Sequence, residues 1–178
     1  GGSLAEQALL YPDRNYIGIE VHKPGVGALL LRMQENEISN IRVMSHDAVE
    51  VLEHMIANES LSLIQLFFPD PWHKRKHHKR RIVQVEFVMR LFKKLKLDGC
   101  FHMATDWQDY AKHMLKIMLE CVSIHHNEKA NPAWRNCSAT NDYIPKPDDR
   151  PTTKFQKRGE RLGHGVWDLM FSKSIKLS

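Results

Sequence analysis

At 178 residues, 42% of them hydrophobic, the chain has the length and the apolar content of one domain with its own core. Twenty-six lysines and arginines against 21 acids leave a net charge of +5, which favours an anionic partner. No apolar run approaches the roughly 18 residues of a membrane helix and no signal peptide opens the chain, while three cysteines (Cys100, Cys121, Cys137) without CxxC spacing argue against a disulfide scaffold and for reduced thiols in a cytosolic protein.

In chain order, residues 3–11 read as a helix with Leu4, Ala8 and Leu9 on one face, ended by Pro12-Asp13. Residues 15–21 are a strand with Glu20 at its carboxyl end, and Pro24 opens a helix through Leu29 and Met33. A strand over 40–44 runs into Ser45-His46-Asp47, and a short helix spans 49–55. The apolar run 61–68 is a buried strand, followed by a helix over 82–95 with Gly99 as its stop signal. Residues 100–104 form a strand ending at Thr105-Asp106, and 107–122 an amphipathic helix. Residues 127–150 are polar, contain prolines and read as a loop. Pro151 starts a helix in which Thr153 and Gln156 have capping-box spacing, Gly163-His164-Gly165 ends it, and 166–172 is the last strand. Alternating strands and helices with short turns predict a doubly wound α/β sheet.

The most informative stretch is Leu66-Phe67-Phe68-Pro69-Asp70-Pro71-Trp72-His73-Lys74. Two prolines stiffen the chain around Asp70, so a carboxylate is held at a strand's carboxyl end, where open α/β sheets bind ligands. Trp72 offers an aromatic face, and from Lys74 to Arg81 six of eight residues are Lys or Arg, the others being His77 and His78. Taken alone, the first feature is an ordinary turn and the second a solvated face. Joined without a spacer, they suggest chemistry on a nucleic-acid base. Glu20, Asp47, Asp70 and Asp106 each end a strand, so one edge of a parallel sheet would carry all four. An acid ending the second strand suits a ribose diol, and one a strand further on suits an adenine amine; the alternative role for each is a helix N-cap. The 11 histidines do not make a metal site, because His73, His77 and His78 stand among cations with no cysteine or acid pair beside them.

FPDPWHK, HKRRIVQ, HMATDW, TNDYIPKP, TKFQKRG and RLGHGVWDLMF, with GIEVHKPGVG and HDAVEVL, resemble the bacterial tRNA (guanine-N7-)-methyltransferase family over nearly the whole chain. The resemblance implies a Rossmann-like class I methyltransferase sheet with helices on both faces and an antiparallel last strand. It implies methyl transfer from S-adenosyl-L-methionine to N7 of a guanosine in the tRNA variable loop. By position it makes Glu20, Asp47 and Asp70 the cofactor-binding residues and Asp70 the catalytic acid. It assigns the substrate guanosine to Lys74, Asp106, Thr153, Lys154, Phe155 and Gln156, and the RNA grip to Lys76, His77, His78, Lys79, Arg80 and Arg81. It implies a cytoplasmic monomer or homodimer with tRNA as partner, and neither metal, membrane nor obligate protein partner. The family also has a first strand and a glycine-rich turn ahead of residue 1, with that strand lying between those ending at Glu20 and Asp70. The expectation is therefore one domain over 1–178 that is incomplete at its N-terminus. Two rival readings are methylation of an exocyclic base amine, for which a Pro-Asp-Pro-aromatic turn is also suited, and an RNA-binding module without catalysis.

Overall fold

A computed structural model describes residues 1–153, 156–157, 161, 163 and 165–175. Its elements alternate as read: α1 (Gly2–Leu10), β1 (Tyr16–Ile19), α2 (Lys23–Glu35), β2 (Ile41–Met44), α3 (Ala48–His54) and β3 (Leu61–Phe67). A 3-10 helix (Arg75–Arg80) is followed by α4 (Val85–Lys94), β4 (Leu95–Thr105), α5 (Gln108–Asn127), β5 (Ala133–Asn136) and β6 (Trp167–Ser174). The chain divides into two units, one of Gly1–Met55 with the segment starting at Pro147, the other of Ile56–Lys146 with the C-terminal segment.

In the first unit β1 and β2 pair in parallel, from Tyr16 opposite Ile41 to Ile19 opposite Met44, with α2 as the crossover that parallel strands require. Pro24 sits in the first turn of α2, where its missing N–H costs nothing. Ala5, Ala8, Leu29, Ile38 and Ile41 form the core, with Leu4, Tyr16, Met33 and Val43 packed on it. The Asn40 amide donates to the carbonyls of Ala8 and Arg14, both at 3.0 Å, and fastens the turn that follows α1.

The second unit holds a four-stranded sheet in the order β3-β4-β6-β5. β3 and β4 are parallel, while β6 runs antiparallel to β4 and to β5, so the last strand reverses as expected. Phe101, Met103, Leu169 and Phe171 are fully buried in the sheet, as are Leu91 of α4 and Met114 and Met118 of α5. Among the described residues β1 pairs only with β2, and β3 only with β4, so each keeps one free edge.

Four expectations need correction. The strand read as buried over 61–68 has no fully buried residue in Leu61–Phe67, and Ser62 and Leu63 are exposed. The helix expected over 82–95 starts only at Val85, because the backbone of Val83 is bonded elsewhere: its N–H points at the Tyr110 hydroxyl (3.5 Å) and its carbonyl accepts from Nε2 of His113 (2.9 Å). Gly99 does not stop that helix; the left-handed residue is Asp98 (φ 61°), and Gly99 lies inside β4 where the pairing shifts between Leu61 and Leu63. The stretch read as a loop over 127–150 contains β5, in which Ala133 and Trp134 are buried, and Ile144 donates to the Asp168 carbonyl (2.9 Å). A four-residue strand between polar flanks leaves too short an alternation to read. The capping box of Thr153 and Gln156 spans Lys154 and Phe155, which lie outside the described residues.

A Cβ on Gly99 would stand 2.9 Å from the Lys96 carbonyl oxygen and 3.1 Å from that of Leu61, both backbone atoms that cannot swing away. Gly99→Ala is therefore expected to lower unfolding stability by about 1–3 kcal/mol, read from the midpoint of a urea titration.

Candidate active site

The last β3–β4 pair is Phe67 with Ala104, and the Phe68 N–H continues the ladder to the Ala104 carbonyl at 2.7 Å. Beyond it the chain turns sharply. Phe68 (φ 52°) and Trp72 (φ 46°) both occupy the left-handed region, each at a cost of about 1–2 kcal/mol for a bulky residue. Between them Pro69 and Pro71 fix their own φ, and Oδ1 of Asp70 accepts the Trp72 N–H at 2.9 Å. The Asp70 side chain is exposed, and its Oδ2 has no hydrogen-bond partner among the described residues.

The basic run continues the turn as a 3-10 helix. Lys74, Arg75, Lys76, Lys79 and Arg80 are exposed, whereas His77 and His78 are half-buried. The Arg80 guanidinium lies 5.0 Å from the Trp72 ring centre, and His77 meets that ring edge-on at 5.9 Å. Arg81 departs from its expected role. Its side chain is 1% exposed, so it is not part of an RNA-gripping surface. It donates Nε–H to the Pro71 carbonyl (2.9 Å) and Nη2–H to Oδ2 of Asp109 (2.5 Å), with Nε2 of His78 at 3.0 Å from the same nitrogen. The Arg81 bond holds the Asp109 carboxyl below the usual carboxylate range. Burial pushes the neighbouring Tyr110 hydroxyl up to about 12 and lowers the pKa of His113.

At the end of β4, Thr105 accepts the Trp107 N–H on Oγ1 (3.3 Å), and the ring of His73 meets Trp107 edge-on at 4.3 Å. Asp106 is half-buried, with no hydrogen bond among the described residues. Asp70 and Asp106 thus follow the same ends of adjacent parallel strands. Glu20 and Asp47 do so for β1 and β2 in the other unit. Glu20 accepts the His22 N–H on Oε1 (2.9 Å) as the chain enters α2. Asp47 caps α3, taking the N–H groups of Val49 (2.8 Å) and Glu50 (3.3 Å) on Oδ1. Thr153 is half-buried and Gln156 buried; Lys154 and Phe155 lie outside the described residues. Sequence reasoning missed Asp109, Tyr110 and His113, because only the fold brings α5 against the chain between Pro71 and Val83.

The chain is 59% identical over 174 residues to the tRNA (guanine-N(7)-)-methyltransferase of Pseudoalteromonas translucida, covering 98% of this chain and 68% of that one. It is 57% identical over 175 residues to the protein of the same name from Sodalis glossinidius, covering 98% and 69%. A family model described as "Putative methyltransferase" matches residues 1–169. A SAM-dependent O-methyltransferase from Thermotoga maritima aligns over 92% of this chain and 51% of its own, with TM-score 0.53 at 11% identity. That likeness, with the α/β alternation, gives the chain the Rossmann-like fold of SAM-dependent methyltransferases.

Asp47 tests how far a strand-end acid is structural. Asp47→Ala should cost about 1 kcal/mol of stability through the lost cap, and Asp47→Asn, which caps as well, close to nothing in the same urea titration.

Proposed function

We propose that this chain, which belongs to the tRNA (guanine-N(7)-)-methyltransferase family, transfers a methyl group from S-adenosyl-L-methionine to N7 of a guanosine in the tRNA variable loop. The observation that carries the site reading is the continuity of the Asp70 turn with the basic helix. An acid fixed at a strand end opens directly onto five exposed cations, Lys74, Arg75, Lys76, Lys79 and Arg80.

The donor chemistry fits the cofactor. Glu20 and Asp47 each commit one carboxylate oxygen to backbone N–H groups and keep the other, Oε2 or Oδ2, unengaged among the described residues. Such acceptors suit a ribose diol and an adenine amine. When bound, S-adenosyl-L-methionine supplies an electrophilic methyl on a sulfonium. Guanine N7 has a lone pair and needs no prior deprotonation, so the protein's work is chiefly positioning. Asp70, next to the cofactor, and Asp106, on the neighbouring strand, bind the N–H edge of the base and balance the positive charge that methylation leaves on the purine. Lys74, Thr153, Lys154, Phe155 and Gln156 complete the guanosine site, and Lys76, Lys79 and Arg80 hold the RNA backbone with His77 and His78 shaping that helix. Residues 1–178 are assigned to one methyltransferase domain. The protein works in the cytoplasm, as a monomer or homodimer; among the described residues no helix is long and apolar enough to cross a membrane.

Incubation of the natural protein with unmodified tRNA and methyl-labelled S-adenosyl-L-methionine should place label on N7 of a variable-loop guanosine. Label on an exocyclic amine would replace the reaction, and tRNA binding without label would favour the binding module. Asp70→Asn is expected to lower kcat about 100-fold or more with tRNA affinity retained; a variant with wild-type turnover removes Asp70 from the mechanism.

Replacing Lys79 and Arg80 by Gln should weaken tRNA binding and flatten its dependence on log salt by roughly 0.7–0.9 for each phosphate that is no longer neutralised. An unchanged slope in a salt titration would count against phosphate binding by these two residues.

A further inference from the structure

We propose that Arg81, charge-balanced by Asp109, is a positioning residue that clamps the turn carrying Asp70, an inference that rests on the role of Asp70 given above. Among the six cations between Lys74 and Arg81 it alone is buried, at 2% exposure. A buried guanidinium must be paired and hydrogen-bonded, and every partner of this one lies on the turn or on the elements flanking it. Nε–H goes to the Pro71 carbonyl, the first carbonyl after Asp70 (2.9 Å). Nη2 meets Asp109 in the first turn of α5 (2.5 Å) and His78 in the basic helix (3.0 Å). The guanidinium also lies 4.8 Å from the ring centre of Tyr110.

The turn needs an outside donor because its own backbone has few to give. Pro69 and Pro71 carry no N–H, the Trp72 N–H is committed to the Asp70 side chain, and the Phe68 N–H belongs to the β3–β4 ladder. Phe68 and Trp72 are both left-handed, so the segment stores strain that its surroundings must hold. The ladder bond at Phe68 anchors one end of the turn, and the Arg81 bond at Pro71 anchors the other. Asp109 lies three residues beyond Asp106, so the same guanidinium ties the Asp70 turn to the helix that Asp106 precedes. Lysine, with one compact head group, cannot donate in two fixed directions to a carbonyl and a carboxylate as a guanidinium fork does.

The test compares Arg81→Gln, Arg81→Lys, Asp109→Asn and the double variant Arg81→Gln/Asp109→Asn. Asp109→Asn keeps an amide oxygen to accept the Arg81 Nη2–H, and each variant is read only where a urea titration shows it folded. Expected are a fall in kcat of about tenfold for Asp109→Asn and about 100-fold for Arg81→Gln, partial recovery in Arg81→Lys, and a double variant no worse than Arg81→Gln. KM for tRNA and the salt slope of binding should stay at wild-type values. Hydrogen exchange at the Trp72 amide should accelerate at least tenfold in Asp109→Asn, a readout that needs no substrate. Slow Trp72 exchange together with wild-type kcat in folded Asp109→Asn would overturn the clamp. A flattened salt slope in Arg81→Gln would also overturn it, by making Arg81 a phosphate ligand. If the wild-type protein transfers no methyl group, the functional reading fails while the exchange measurement still decides whether Arg81 holds the turn.

Discussion

The parallel pairing of β3 with β4 is the constraint from which the second unit's chemistry follows. Because Leu63 stands opposite Cys100 and Phe67 opposite Ala104, both strands end at the same level, and the residues just beyond them are Asp70 and Asp106. A one-residue slip would send every side chain of β3 to the other face of the sheet. It would also carry Phe68 out of reach of the Ala104 carbonyl that closes the ladder. Register is held at the other end by backbone packed too closely to admit a Cβ, at Gly99 against the carbonyls of Lys96 and Leu61. Lys173 of β6 then fixes the same corner, its ammonium donating to the Leu95 carbonyl (2.9 Å) and to Glu59 (3.0 Å) while lying over the Phe92 ring.

Past the ladder, the site depends on polar groups buried at a cost. Arg81 has left water altogether, and an unpaired charge there would be strongly destabilising. Its pairing goes with a chain that is not helical from Arg81 to Gln84 although its sequence suits a helix. The Val83 backbone is taken by Tyr110 and His113, and the side-chain amide of Gln84 donates to the Arg81 carbonyl (3.2 Å). Local propensity loses to these long-range bonds. Its loss delays α4 by three residues and leaves α5 latched onto the segment that leads away from Asp70.

What the sequence made legible follows from the range of the forces involved. The order of strands and helices and the strand-end acids are local or nearly so, and the structure has them where hydrophobic periodicity and turn residues put them, whereas the antiparallel last strand was expected from the family resemblance alone. The fate of Arg81 was not legible. In a run of six cations no rule of spacing marks one as buried, and its counterion lies 28 residues away. β5 was hidden for a different reason: its four residues take their order from β6, whose Arg135–Ser172 and Asn136–Phe171 pairings bridge a long stretch of chain. The left-handed backbone at Phe68 and Trp72 was equally invisible, since aromatic residues are poor candidates for it.

The strand-end carboxylates leave room for both capping and the ligand binding proposed above. Glu20, Asp47 and Asp70 each spend one oxygen on backbone N–H groups two or three residues ahead and leave the second unengaged among the described residues. The backbone bond fixes the rotamer, so the outward oxygen is held in place before any ligand arrives, and binding need not bear the entropy of ordering it. A residue that merely capped would be served as well by Ser, Thr or Asn, which offer the backbone the same single acceptor. An acid is required only where the second oxygen and the negative charge have a use, for a diol that donates twice or a base that becomes cationic. The difference between the structural role of these residues and the functional role proposed for them therefore lies in charge, while their geometry is common to both.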